Sequence, residues 1–226
     1  TYNLTIVNEI RLEERMTMDI WRHIGAVTRT ISSREVDGQL ARVLVASRVY
    51  ETDRADLWDA LTNIERIPRW FLPVAGDLRL GGHYQFEGNA GGEVIACDPP
   101  ERFTVTWGMQ GQVSWVTIAL TEQAANRTEL RLEHVAHVPD EMWDMYGPGA
   151  VGVGWEGGLL GLGLYLAGDG SLTPETAAEW HTTSDGRDFY SQSSAAWAAA
   201  SIEAGTEPDQ AHAAAARTTA FYQGES

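Results

Sequence analysis

The chain has no lysine: its 16 basic residues are all arginine, set against 32 acidic residues, for a formal net charge of −16 at pH 7. So acidic a surface is repelled by nucleic-acid phosphates and by anionic lipid, which argues against both as partners. There is a single cysteine, Cys97, and this excludes an internal disulfide framework and a cysteine-based zinc site. Neither H-E-x-x-H nor G-x-S-x-G occurs. His134 and His137 stand three apart on one predicted strand, face opposite sides and make a poor metal pair. No metal or organic cofactor is therefore expected. The sequence does not open on a basic-then-apolar leader, so a cytoplasmic location is expected. Residues 1–17 show no clear period and read as a leader without assigned function.

With 226 residues, 43% of them hydrophobic, the chain can bury a sizeable core and still carry appendages. The densest apolar stretch is Pro139–Gly168, where Glu156 is the one charge between Gly147 and Gly168. Four readings compete for it. A membrane span is disfavoured because nine of those 22 residues are glycine and the flanks are acidic. A dinucleotide loop is suggested by Gly147-x-Gly149-x-x-Gly152 and by Gly152-x-Gly154-x-x-Gly157. That motif needs a strand before it, whereas Pro139–Tyr146 reads as a helix start. A flexible loop does not need Trp155, Leu159, Leu162 and Leu166 at helical spacing. The remaining reading is one long buried helix, or a helix with a loosened first half. Gly147, Ala150, Gly154, Gly157 or Gly158, and Gly161 give it a stripe of small residues. Glycine costs a helix about 1 kcal/mol each relative to alanine, so the stripe implies either close packing or a cavity.

Upstream, short alternating segments are separated by turn signals, the pattern of an antiparallel meander. Residues 18–25 suggest a short helix with Ile20, Trp21 and Ile24 on one side. Val27–Val36, Asp37-Gly38 and Leu40–Tyr50 read as a hairpin. On its return strand Val43, Val45, Ser47 and Val49 share one face, and Arg42 and Arg48 the other. Thr52 or Asp53 caps a helix through Leu61, and Ile64–Phe71 forms a further short turn. Alternation places Tyr84 with Phe86, Trp107 with Phe103 and Val105, and His134 with Leu130 and Leu132, each set on one face. Val116, Ile118 and Leu120 point inward, which leaves Trp115 outward. After Gly168 three weakly hydrophobic helices follow. They open at Thr173-Pro174, near Gly186 and at Glu207-Pro208, and pack either on the domain's outside or against a second subunit, as in a homodimer.

Several motifs resemble those of the SRPBCC superfamily, in its activator of Hsp90 ATPase homologue (AHSA1-like) branch. These are Leu57-Trp58-Asp59-Ala60-Leu61-Thr62, Arg69-Trp70-Phe71, Gly81-Gly82-His83-Tyr84-Gln85-Phe86 and Gly92-Glu93-Val94. Asp98-Pro99-Pro100-Glu101-Arg102-Phe103, Thr106-Trp107-Gly108, Thr128–His134 and Gly154-Trp155 complete the set. The resemblance covers residues 40–168 and implies an α+β helix-grip fold, in which a curved antiparallel sheet clasps a long C-terminal helix around an elongated cavity. With the unpatterned start and the change of composition after Gly168, the expected division is 1–17 leader, 18–168 helix-grip domain and 169–226 helical extension. Relatives of this fold bind lipids, sterols, polyketides or hormones, and some catalyse cyclisation or dehydration. The namesake's co-chaperone activity needs a further domain, so the name does not carry the activity.

The leading expectation is a small hydrophobic ligand, aromatic or polyketide-like, held by Trp70, Tyr84, Phe86, Trp107, His134, Trp155 and Glu156. A cyclase or dehydratase using His134 or Glu156 as proton carrier is the alternative. A co-chaperone-like module binding a protein partner is the third. His134 read blandly is a core histidine bonded to its neighbours. Glu156 read blandly is a solvated surface charge, and the aromatics are core packing.

Overall fold

The computed structural model describes residues 20–109, 111–170 and 174–225. The leader, the start of the first helix and the Thr173 cap lie outside these. Residues 20–26 form the described part of α1. Ile20 and Ile24 are buried as expected, but Trp21 is exposed.

Eight strands form one antiparallel, curved sheet. They are β1 (Thr28–Val36), β2 (Gln39–Tyr50), β3 (Val74–Gly76), β4 (His83–Phe86), β5 (Gly91–Asp98), β6 (Arg102–Met109), β7 (Gln112–Ala124) and β8 (Arg127–Ala136). The spatial order is β1-β2-β8-β7-β6-β5-β4-β3, so every sequential pair is a neighbour except β2, which pairs with β8. Asp37 and Gly38 both take positive φ, 51° and 76°, as a two-residue hairpin of this type requires. Asp53 caps α2 (Arg54–Thr62), its carboxylate accepting from the Asp56 amide at 2.8 Å. A single 3-10 turn, Ile67–Arg69, follows.

One face of the sheet carries Leu44, Ala46, Tyr50, Val105, Val116, Ile118, Leu130 and Leu132 into the main core. Val43, Val45 and Val135 pack with Trp115 in a smaller cluster on the other face. The parity of β2 is as read, but the arginine side is the helix-facing one. Arg48 lies over the Tyr50 ring at 4.9 Å, touches His23 of α1 and donates to the Leu159 carbonyl at 3.1 Å.

Pro139–Gly168 does not form one continuous helix. Asp140–Tyr146 is α3 and Gly149–Leu166 is α4. Gly147, at φ 59°, turns the chain between them, and Pro148 has no amide to continue the ladder. After α5 (Pro174–Trp180) come α6 (Ser184–Glu203) and α7 (Pro208–Tyr222). α6 packs on α4 and β1, and α7 on α6, α3 and α4. The extension therefore covers α4 within its own chain, and Phe189 and Trp197 of α6 are fully buried there. With the sheet on one side and α6 on the other, α4 buries Gly152, Val153, Glu156, Leu159, Leu160 and Leu162.

The glycines of α4 answer the stripe question individually. A Cβ on Gly152 would strike the buried Trp197 ring, and one on Gly161 would meet the Trp70 carbonyl oxygen at 2.5 Å. A Cβ on Gly157 would meet nothing within 4 Å. Urea unfolding should show Gly157→Ala stabilising by up to about 1 kcal/mol through helix propensity. Gly152→Ala should destabilise by about 1–3 kcal/mol through overpacking. Equal effects at the two positions would contradict this packing.

Candidate functional site

Between α4 and strands β4–β8, closed at one end by α2 and the 3-10 turn, lies a hollow of about 120 Å³. Trp155, Gly158, Leu159 and Leu162 of α4 form one wall. Tyr84, Phe86, Val94, Cys97, Phe103, Val105 and Trp107 line the sheet side, with Val116, Ile118, Leu130 and Leu132. Leu61, Thr62, Ile67, Trp70 and Phe71 close the end, with Leu78. Of the expected residues, Trp70, Tyr84, Phe86, Trp107 and Trp155 therefore come together here, and His134 and Glu156 are not among the lining.

Three of the aromatics turn their polar atoms into the protein. The Trp70 indole donates to the Ala60 carbonyl at 3.0 Å and the Tyr84 hydroxyl to the Thr106 carbonyl at 2.8 Å. Burial pushes the Tyr84 phenol well above its ordinary value, so it stays neutral. Their rings pack edge-on or tilted: Phe86 on Phe71 and Tyr84 at 5.1 and 5.5 Å, and Trp107 on Trp155 at 4.8 Å.

His134 stands just behind this wall. The Trp155 indole, which can only donate, gives its N–H to His134 Nδ1 at 3.0 Å. Nδ1 is therefore unprotonated, and in the neutral ring Nε2 carries the hydrogen, facing Ser114 Oγ at 2.7 Å. Ser114 in turn donates to the Trp107 carbonyl at 3.0 Å. One directed chain thus ties Trp155 to the Trp107 backbone, and both imidazole nitrogens are spent on it. Burial lowers the His134 pKa to about 4, which keeps the ring neutral. The expectation of an inward proton carrier gives way to a residue that positions two tryptophans.

Glu156 is also buried, but on the side of α4 away from the hollow. Arg29 of β1 donates to it twice, Nε at 2.5 Å and Nη2 at 2.8 Å. Ser193 of α6 donates at 3.0 Å. Burial pushes the carboxyl up, while Arg29 and Ser193 pull it down. Desolvation is the larger effect, so the carboxyl stays above its ordinary value, and three donors on its two oxygens offset part of the cost of that burial. Glu156 is neither a solvated surface group nor a cavity acid. It joins β1, α4 and α6, and no hydrogen bond links it to His134. Phe71, Ile67 and Leu78 were missed as lining because they lie on a turn and a loop, where alternation gives no face. Cys97 joins the lining from the end of β5.

A family model described as "Activator of Hsp90 ATPase homolog 1-like protein" matches residues 51–167. The crystal structure of CalU16 from Micromonospora echinospora is 32% identical, over 77% of this chain and 98% of that one, with a TM-score of 0.60. This chain belongs to the activator of Hsp90 ATPase homologue 1-like family. The solution structure of CalU16 agrees, at 32% identity over 80% and 97% of the two chains and a TM-score of 0.65. MLL2253 from Mesorhizobium loti, at 24% identity over 56% and 97% and a TM-score of 0.50, shares the fold. No curated protein matches. Within this AHSA1-like domain the family model ends at residue 167, so Ser193, the α6 donor to Glu156, lies outside the segment that defines the family. Among the described residues no helix is long and apolar enough to cross a membrane, and no cluster of histidine, cysteine and carboxylate side chains could hold a metal.

The His134 chain makes a pH-dependent prediction. Folded His134 is neutral down to about pH 4, while unfolded histidine takes a proton near 6.5. The unfolded state then binds more protons between these values, so stability is full above the upper one and falls as the pH drops towards the lower. The loss from this group is about 3 kcal/mol. Chemical denaturation from pH 7 to 4 should show a shallower decline for His134→Asn than for the native chain. Identical slopes would contradict the burial described here.

Proposed function

We propose that this AHSA1-like domain binds one small hydrophobic molecule, of single-ring aromatic size, in the hollow between the sheet and α4. The observation that carries the reading is the lining. Hydrocarbon and aromatic side chains dominate it, and the polar atoms of Trp70, Tyr84 and Trp155 are satisfied by protein partners outside it. Such a space offers water little to bond, so an apolar guest competes well for it.

Volume bounds the guest. Drug-sized sites run to about 300–1,000 Å³, well above the 120 Å³ found here. An engineered apolar cavity of about 150 Å³ stays dry and takes benzene. A fused-ring polyketide therefore fits only if α4 or the 3-10 turn moves outward. The cyclase or dehydratase alternative loses its named groups, because His134 has no spare nitrogen and Glu156 lies away from the hollow. The partner-binding alternative has no such named residues to weigh, and the apolar hollow favours the small-molecule reading over it.

The single thiol reports on this directly, since Cys97 lines the hollow. Benzene or indole should raise the unfolding temperature of the chain and slow the reaction of Cys97 with a thiol reagent. Val105→Phe, which fills the space, should abolish both effects. Absence of any thermal shift with either compound, or shifts that persist in Val105→Phe, would sink the proposal.

A further inference from the structure

The hollow between the sheet and α4 is closed unevenly. Its deep wall, Val105, Val116, Ile118, Leu130 and Leu132, belongs to paired strands and is at most 7% exposed. At the end closed by the 3-10 turn, Phe71 and Gly158 line it and are only half-buried. Gly158 has no side chain, and a Cβ placed there would lie 3.4 Å from the Phe71 ring. The ring therefore sits on the bare backbone of α4. It also packs edge-on against Phe86 at 5.1 Å and tilted against Trp70 at 5.5 Å.

Phe71 differs from the other lining rings in what holds it. Trp70, Tyr84 and Trp155 are each fixed by a hydrogen bond, so truncating any of them orphans an acceptor. Phe86 belongs to β4, and Phe103 and Trp107 to β6. Phe71 lies on neither helix nor strand, and its side chain has no polar atom. Its main chain is nevertheless pinned. The Phe71 amide donates to the Ile67 carbonyl at 2.9 Å. On one side the Trp70 indole holds the Ala60 carbonyl, and on the other the Pro73 carbonyl accepts from the Glu87 amide at 2.9 Å. The Phe71 ring can therefore be shortened with no polar group orphaned and with the turn held in place.

We propose that Phe71 is the residue that sets the size of the guest, which rests on the hollow being a binding space for a small apolar molecule. With the Phe71 ring seated on Gly158, the hollow ends there and takes a single ring. Shortened to a methyl group, residue 71 lets a fused-ring aromatic extend along α4 over Gly158, with the 3-10 turn where it is. Truncating one large apolar side chain opens up to about 150 Å³. That raises the native 120 Å³ to near the lower bound of drug-sized sites, about 300 Å³.

Fluorescence titration of the full chain with 1-aminoanthracene, a three-ring probe, tests this, with the thermal shift from benzene measured alongside. Phe71→Ala should bind the probe at least about tenfold more tightly than the native chain, which must give up two ring contacts of Phe71 to admit it. Phe71→Leu, the milder truncation, should gain about threefold and carries the test if Phe71→Ala does not fold. Benzene should still shift the unfolding temperature of all three chains. Adding Val105→Phe to either variant should remove the gain, which locates the probe in this hollow. Equal probe affinity in the native chain and the variants, with the benzene shift intact, would overturn the role of Phe71 and leave the hollow as a binding space. A gain that survives Val105→Phe would overturn it as well. Absence of the benzene shift from the native chain would remove the binding space itself, and the role of Phe71 with it.

Discussion

The rotation of α4 about its own axis decides what this domain encloses, and the buried bond between Arg29 and Glu156 sets that rotation. Two guanidinium N–H groups and the Ser193 hydroxyl converge on the Glu156 carboxylate. One residue is about a quarter-turn of helix. With Glu156 held towards β1 and α6, Trp155 is turned to His134 and Trp107. Gly158, Leu159 and Leu162 are likewise turned to the hollow. A charge that never touches the hollow thus selects its walls. Removing one partner from a buried pair of this kind costs about 3–5 kcal/mol, because the other is left desolvated and alone. An apolar pair of similar volume would fill the same space, but it would not fix one rotation among several on a helix this uniformly apolar.

The same economy governs the polar atoms around the hollow. Tryptophan and tyrosine bring bulk together with a donor that must be satisfied when buried. Here the donors of Trp70, Tyr84 and Trp155 are aimed away, at Ala60, Thr106 and His134. His134 pays for its own burial by staying neutral and by using both nitrogens. The result is a space with apolar walls, held rigid by hydrogen bonds just behind them. The C-terminal extension is part of that arrangement, since it supplies Ser193 and the Trp197 ring that Gly152 accommodates.

Much of the fold was legible because it rests on short-range rules. Alternation in β6, β7 and β8 placed Val105, Trp107, Val116, Ile118, Leu130 and Leu132 on one face, and all six line the hollow. Asp37-Gly38 and Asp53 announced a turn and a cap that the backbone uses. The break in the apolar stretch was also written in Gly147-Pro148, but the apolar composition around it masked the signal. The direction of Glu156 was not legible. A helix buried on two sides has no polar face from which to read its rotation. The role of His134 depended on Ser114 and Trp155, distant in sequence and joined only by folding. Arg48 was assigned to the right face of its strand, but alternation does not say which face meets the helix.

Methyl-resolved NMR of the chain saturated with benzene tests the central claim most directly. The expected result is a set of ligand contacts to the methyl groups of Val116, Ile118, Leu132, Leu159 and Leu162, with no change in the signals of Val43, Val45 and Val135 on the other face of the sheet. Contacts confined to the outer face or to the helical extension, or none at all, would contradict an apolar binding space between the sheet and α4.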